Sequence, residues 1–387
     1  MVEEHVIGML GYAFMGRAHS NAYNQCAALF PLQRKIRKRV ICGRHQEQLA
    51  GMARQFGWEE TETDWHKMLA RADITIFDNG APNNLHAEPC IVAAEAGKHV
   101  LCEKPLARNA AEAEKMVSAV EKAGVKNMVA FNYRRVPAIA LAKQLIEKGM
   151  LGKIYHFRAV YLQDWIRDPD FPLVWRLRKE IAGTGPHGDL NAHIIDIAQY
   201  LVGNIERVNG LAMNFITRRK LPAESQGESG LKSMKTAEKM GEVTVEDACA
   251  ILAKIQGGIM ATFEATRFAT GRRNHNYIEV NGSKGSLWWD LERMDELNFY
   301  TDEDPKFARG FRTILVTEPE HPYINYYWPA GHIIGWGETF TNEIYDFLKS
   351  IEEDSTPSPS FREGLQNQKV LDAVMKSVQT GQWENVA

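Results

Sequence analysis

The chain has 387 residues, 44% of them hydrophobic and 25% charged, with 46 Lys and Arg against 49 Asp and Glu. That length exceeds what one ordinary core holds, so two domains are expected, and the balanced, scattered charge offers no continuous basic face for a nucleic acid. No apolar run approaches membrane-spanning length, the N-terminus lacks a secretory pattern, and five cysteines (Cys26, Cys42, Cys90, Cys102, Cys249) form no close pairs, which together point to a cytoplasmic protein with reduced thiols and no membrane partner.

In chain order, short β-branched runs at 5–10, 39–42, 73–78, 99–102 and 127–131 read as strands. The basic stretch at 33–39 reads as a helix end before the second of them. Between the strands, 87–96 and 110–122 carry Ala, Val and Met at helical spacing with Glu and Lys opposite, so residues 1–133 are predicted to form a doubly wound parallel sheet of the Rossmann type. The first strand runs into Gly11-Tyr12-Ala13-Phe14-Met15-Gly16. In a dinucleotide-binding turn the outer glycines allow the tight turn and close helix packing, and the helix N-terminus attracts a pyrophosphate; Ala13 stands where a middle glycine is usual. After the second strand, Gly43 and Arg44 occupy the place of the carboxylate that reads a free ribose hydroxyl. Arg44 suits a 2′-phosphate, so NADP is favoured slightly over NAD.

The third and fourth strands end in Pro82-Asn83 with His86 and in Glu103-Lys104-Pro105. Strand carboxyl ends border the ligand crevice of such a sheet, which puts these residues at the nicotinamide and makes Lys104 a directed donor to a substrate oxygen.

Residues 134–387 read as a second α+β domain with a large, mostly antiparallel, open-faced sheet. A helix at 139–148 and a strand at 153–161 lead to a loop rich in Trp and Arg, then to a helix at 189–202. Hairpins follow, 249–255 with 259–266 and 277–280 with 286–289; the polar stretch 218–241 reads as a long excursion. After the turn-rich 356–360, an amphipathic helix at 363–378 is expected to pack back on the body.

On the 189–202 helix, Asp189 and His193 share one face. A neutral imidazole suits removal of a hydroxyl proton near neutral pH while Asp189 binds a neighbouring hydroxyl or holds the ring. The alternatives for this pair are a helix cap with a satisfied buried histidine, or a divalent metal held by His187, Asp189 and His193, a spacing that matches no standard metal signature; no metal is assigned.

Gly16-Arg17-Ala18-His19, Pro82-Asn83 with His86, Glu103-Lys104-Pro105, and Asp189 four before His193 with Asp196 after resemble the Gfo/Idh/MocA oxidoreductase family over nearly the whole chain. The segments 131–135, 161–165 and 309–313 are most similar to the branch of levoglucosan and inositol dehydrogenases. The resemblance implies a catalytic set of Lys104, Asp189 and His193 and a second domain whose sheet mediates dimers or tetramers; Asn191 departs from it, standing where a Gly is common. Polar and aromatic residues of the second-half loops, Tyr133, Gln163, Asp164, Trp165, Trp175, Arg176, His321 and Tyr323, are candidates for a sugar pocket. The expected activity is hydride transfer between a nicotinamide and a hydroxyl carbon of a sugar, anhydrosugar or cyclitol. A non-catalytic dinucleotide sensor and a metal-assisted sugar lyase or isomerase are the alternatives.

Overall fold

Alternating strands and helices in the first third form one parallel sheet in the computed structural model, which describes residues 4–223 and 236–386. Strands β1 (Glu4–Leu10), β2 (Lys35–Cys42), β3 (Glu60–Glu62), β4 (Ile76–Asn79), β5 (His99–Glu103) and β6 (Asn127–Ala130) lie in the order β3-β2-β1-β4-β5-β6. Between them run α1 (Phe14–Leu29), α2 (Gln46–Phe56), α3 (Trp65–Leu69), α4 (Ala87–Glu95) and α5 (Ala110–Ala123). The strand order reverses between β1 and β4, so a crevice opens beyond their carboxyl ends. The basic stretch expected to end a helix is strand instead: α1 stops at Leu29, and within β2 Arg37 and Arg39 pair with Glu59, Glu60 and Asp73. β3, a Glu-Thr-Glu triplet, carries no apolar alternation by which to predict it.

The second part contains α6 (Pro137–Glu147), β7 (Ile154–Leu162), α7 (Lys179–Ala182), α8 (Ala192–Val202), β8 (Ile205–Met213), β9 (Arg218–Pro222), β10 (Thr236–Glu242), β11 (Ala248–Ile255), β12 (Ile259–Thr266), β13 (His275–Gly282), β14 (Gly285–Asp290), β15 (Glu296–Thr301), β16 (Arg312–Leu315), α9 (Trp336–Glu352), α10 (Phe361–Thr380) and β17 (Glu384–Asn385). Nine strands make one sheet in the order β16-β15-β14-β13-β7-β12-β11-β8-β17. Both expected hairpins are present, β11 with β12 and β13 with β14. β7 and β12, however, run parallel, from Met260 opposite His156 to Thr266 opposite Leu162. Their carboxyl ends therefore emerge side by side. Of the expected excursion, β9 and β10 form a separate two-stranded ladder and 224–235 lies outside the described residues.

Helices cover one face of this sheet, and on the other Leu211, Met213, Leu252 and Met260 are exposed on β8, β11 and β12, in regular alternation along β11. The helix expected from Asp189 starts later. A π-helical turn, His187–Asn191, precedes α8, and such wide turns recur at functional sites.

The last segments return to the body. Phe340, Ile344, Phe347, Leu348 and Ile351 of α9 share a core with Ile7, Met9, Ala22, Tyr23 and Cys26 of β1 and α1. α10 packs on α5, α8 and β8. Among the described residues no helix is long and apolar enough to cross a membrane. Because Phe347 is fully buried against the first sheet's layer, Phe347→Ala is expected to cost about 3–5 kcal/mol, read as a lower denaturant midpoint; an unchanged midpoint would show that α9 does not stabilise the first unit.

Candidate active site

The turn after β1 is a cradle that side chains would fill. Gly11 has φ 110° and its N–H donates to Cys42 O at 2.9 Å. A Cβ on Gly11 would lie 2.6 Å from Gly80 O, and one on Gly16 2.3 Å from Gly11 O. Ala13 holds φ −76°, allowed to any residue, and leads directly into α1, whose first turn carries no side-chain cap and no acidic residue. The free N–H groups of that turn, with Phe14 and Met15 beside them, fit a dinucleotide pyrophosphate. On the neighbouring strand end, the Tyr12 ring occupies the space a Gly43 side chain would need, at 2.3 Å, and Arg44 is exposed.

The side chains of three residues expected to line the nicotinamide make bonds within the scaffold. His86 is fully buried, with Nδ1 2.8 Å from Pro105 O and Nε2 3.0 Å from Ala81 O. It ties the β4 and β5 loops together, and burial lowers its pKa. Asn83 reaches away, donating to Ala182 O at 2.9 Å and so joining the loop after β4 to α7. Glu103 turns inward: Oε2 accepts the Lys104 N–H at 3.0 Å and Oε1 lies 3.1 Å from His19 Nε2. The other His19 nitrogen lies 2.9 Å from Asp78 Oδ2, which also accepts from Tyr23 Oη. Burial opposes a charge on His19, but Asp78 and Glu103 outweigh it and raise its pKa well above the usual value. Pro82 stays at the crevice mouth, half-buried in extended conformation.

Lys104, directed by this network, crosses to the second domain, where Nζ donates to Asp189 Oδ1 at 2.8 Å and to Asp189 O at 3.0 Å. Asp189 Oδ2 accepts from Arg267 Nη2 at 2.6 Å, and Arg176 Nη1 lies 3.6 Å from Oδ1. Burial would raise the Asp189 pKa, yet Lys104, Arg267 and Arg176 hold it well below the carboxylate range. His193 is pushed the other way, its pKa well below the usual value, first by burial and then by the Lys104 charge, with Asp189 opposing. It is therefore neutral near pH 7. Its Nδ1 is buried without a hydrogen-bond partner among the described residues.

Around this centre the structure brings together Tyr133, Gln163, Trp165, Trp175 and Arg176. The Tyr133 ring centroid is 4.5 Å from that of His193, and its Oη is 2.8 Å from Tyr161 Oη. Trp165 donates to Gln163 Oε1 at 2.8 Å, and the Arg267 and Arg176 guanidinium carbons lie 5.3 and 4.5 Å from the Trp165 and Trp175 ring centroids. The other three candidates are taken up locally. Asp164 pins a loop by accepting from Gly271 N–H and Arg273 Nη1, both at 3.0 Å. His321 accepts the Glu318 N–H within its own turn, and Tyr323 donates to Asp346 on α9. The three ligands of the metal alternative do not converge, since His187 bonds Leu371 O and the Asn191 amide inside the second domain. Asn191 thus has an interior role, also donating to Cys249 O. Among the described residues, the His/Asp/Glu group whose ligand atoms lie within 4.8 Å of one another is His275, Asp290 and Glu292.

Sequence reasoning missed Arg267, Asn274, Trp336 and His19 as members of the site. Arg267 follows β12 and becomes visible only once β12 is known to run parallel to β7, beside Gln163 and Trp165. His19 lies three residues after Gly16 on α1, and its spacing there is the signal that turns it toward the sheet.

Comparison with known proteins follows the same division. Residues 6–131 match the model of an oxidoreductase family with an NAD-binding Rossmann fold, and 139–288 match the GFO/IDH/MocA C-terminal domain. The chain is 43% identical over 383 residues to levoglucosan dehydrogenase of Pseudarthrobacter phenanthrenivorans, covering 98% of this chain and 97% of that one. Among solved structures, an oxidoreductase domain protein from Kribbella flavida superposes with a TM-score of 0.94 at 46% identity over the whole of both chains. A levoglucosan dehydrogenase in complex with NADH and levoglucosan gives 0.92 at 41% identity, over 99% of each chain.

The buried His187 makes the fold acid-sensitive. Burial lowers the His187 pKa to about 4, so between the ordinary value near 6.5 and that point the unfolded chain binds a proton that the folded one excludes. Stability is then fully present above about pH 6.5 and is lost as pH falls toward 4, by about 3 kcal/mol from this residue. Denaturant midpoints measured across that range should slope less steeply in His187→Gln; identical slopes would contradict the assignment.

Proposed function

The chain belongs to the Gfo/Idh/MocA oxidoreductase family, whose N-terminal unit is NAD-binding, and from that premise we propose that it oxidises a hydroxyl carbon of a neutral cyclic sugar, anhydrosugar or cyclitol. The observation that carries this reading is the meeting of Lys104 from β5 with Asp189 beside the neutral His193 at the crevice end of the first sheet. Levoglucosan is the leading substrate, supported by the likeness to levoglucosan dehydrogenase and by aromatic faces at Trp165 and Trp175 beside Gln163 and Arg176. The solved levoglucosan dehydrogenase complexes with NADH support NAD as the working cofactor, against the lean toward NADP that Arg44 gives on the sequence alone.

The dinucleotide, held by the turn at Gly11, Ala13, Phe14, Met15 and Gly16, supplies the hydride acceptor. Lys104, with two hydrogen bonds already made to Asp189, points its remaining N–H at the substrate oxygen and stabilises the negative charge developing there. His193 accepts the hydroxyl proton through Nε2. Burial and the Lys104 charge disfavour the imidazolium, so the ring is unprotonated and able to take the proton as hydride leaves the same carbon for the nicotinamide. Asp189, bound on both oxygens, orients Lys104 and compensates its charge.

A second copy of the chain covering the outer sheet face is the partner we propose, supported by Leu211, Met213, Leu252 and Met260, which are about half exposed or more on adjoining strands. Leu252→Glu is expected to give monomers by light scattering after gel filtration; an unchanged mass, whether single or multiple, would remove this face as the contact.

The central test follows reduced-nicotinamide absorbance with NAD or NADP against a panel of levoglucosan, glucose and myo-inositol. Lys104→Ala and His193→Ala should each lower kcat roughly 10²- to 10⁴-fold while NADH still binds. Near-normal turnover in Lys104→Ala would defeat the role given to it.

A further inference from the structure

Trp336 opens α9 where the chain returns from the second sheet to the first. Its indole stacks on Phe14, ring centroids 5.3 Å apart and planes 13° from parallel, and Phe14 is the first residue of α1, 40% exposed beside the glycine cradle. From the other side of the indole, Nε1–H donates to Tyr133 Oη at 3.3 Å, and Tyr133 is the ring packed on His193.

The bonding continues beyond Tyr133. Tyr161 Oη, bonded to it, donates to Asn274 Oδ1 at 2.8 Å; the same oxygen accepts from Gln163 Nε2 at 2.8 Å, and Gln163 Oε1 accepts from Trp165. Trp165 carries the Arg267 guanidinium that holds Asp189. A single chain of side-chain contacts thus runs from the dinucleotide turn, past His193, to the anchor of Lys104.

The backbone of Trp336 is fixed independently. Its carbonyl accepts from Thr339 Oγ1 at 2.7 Å, that hydroxyl accepts from Asn132 Nδ2 at 2.8 Å, and the indole meets Phe340 edge-on at 4.7 Å. What remains adjustable is the pair of weaker contacts, a stack on a half-exposed ring and a long hydrogen bond, both sensitive to small movements of Phe14.

We propose that Trp336 is a positioning residue that couples occupation of the dinucleotide cradle to the hydroxyl-binding wall, carrying the placement of Phe14 to Tyr133 and so to His193. The proposal rests on the dehydrogenase reading above. Its consequence is reciprocal: cofactor and sugar each tighten the other's binding, and the coupling depends on the indole.

NADH is the probe, titrated by its own emission and by quenching of tryptophan emission, without and with a saturating concentration of whichever panel sugar the enzyme oxidises fastest; the mixture does not turn over. The wild type is expected to bind NADH about fivefold or more tightly with the sugar present. In Trp336→Leu that ratio should fall to about one, whatever the change in binding of NADH alone; Trp336→Phe, which keeps the stack and loses the donor, should lie between, and Phe14→Leu should reproduce the loss of the ratio from the other side. Trp336→Phe should also remove far more than a ninth of the NADH-induced quench carried by the nine tryptophans. A purely structural role would weaken both ligands alike and leave the ratio intact, which overturns the proposal, as does a wild-type ratio of one. Failure of the wild type to bind NADH overturns the dehydrogenase reading together with it.

Discussion

The ion pair between Lys104, just after β5, and Asp189, on the π-helical turn before α8, joins residues 85 positions apart, and the rest of the site is arranged so that it can form. Each partner is largely withdrawn from water, with 14% and 18% of the side chains exposed, and charges so placed persist only when compensated. Asp189 is satisfied by Lys104 and Arg267 with Arg176 nearby, an excess of positive charge. That excess suits a reaction in which negative charge grows on a substrate oxygen, and the same field keeps the adjacent imidazole neutral.

On the front side, the pair requires the end of β5 to be immobile. Glu103 holds the Lys104 peptide, His19 holds Glu103 and Asp78 holds His19, these three side chains at or near zero exposure. Glu343 of α9 lies against the same cluster with neither oxygen bonded among the described residues. Burial raises its pKa well above the carboxylate range, Arg135 and His19 opposing and Glu103 and Asp78 reinforcing. A protonated Glu343 is the form this setting tolerates, because another negative charge beside Asp78 and Glu103 would have no counterion left.

The two sheets are kept in one relation by a second buried cluster. Arg134, directly after β6 and its turn, makes two bonds to Asp196 of α8, at 2.7 and 2.6 Å, and a third to Glu363 of α10. Arg135 beside it pairs with Asp346 of α9 at 2.9 Å. Adjacent arginines on the turn that follows β6 thus tie the end of the first sheet to α8, α9 and α10. Removing one partner of such a buried pair typically costs about 3–5 kcal/mol, enough to move α8 and the His193 it carries.

Much of this was determined by the sequence alone, because it rests on local rules. Strand and helix periods specify a parallel sheet followed by an antiparallel one, the glycines at 11 and 16 admit no side chain, and strand ends place Lys104 at the crevice. Four-residue spacing puts Asp189 and His193 on one side of their turn. Tertiary structure decided which way the polar side chains face. Glu103, His86 and Asp164 look identical in sequence to crevice residues but are turned to His19, backbone carbonyls and Gly271. It also decided who the distant partners are: Arg267 arrives through an unpredicted parallel strand pair, and Trp336 through a helix that crosses back over more than 300 residues to pack on α1. Periodicity reports only the face a residue belongs to, whereas a hydrogen-bond partner hundreds of positions away is selected by packing that no local pattern encodes.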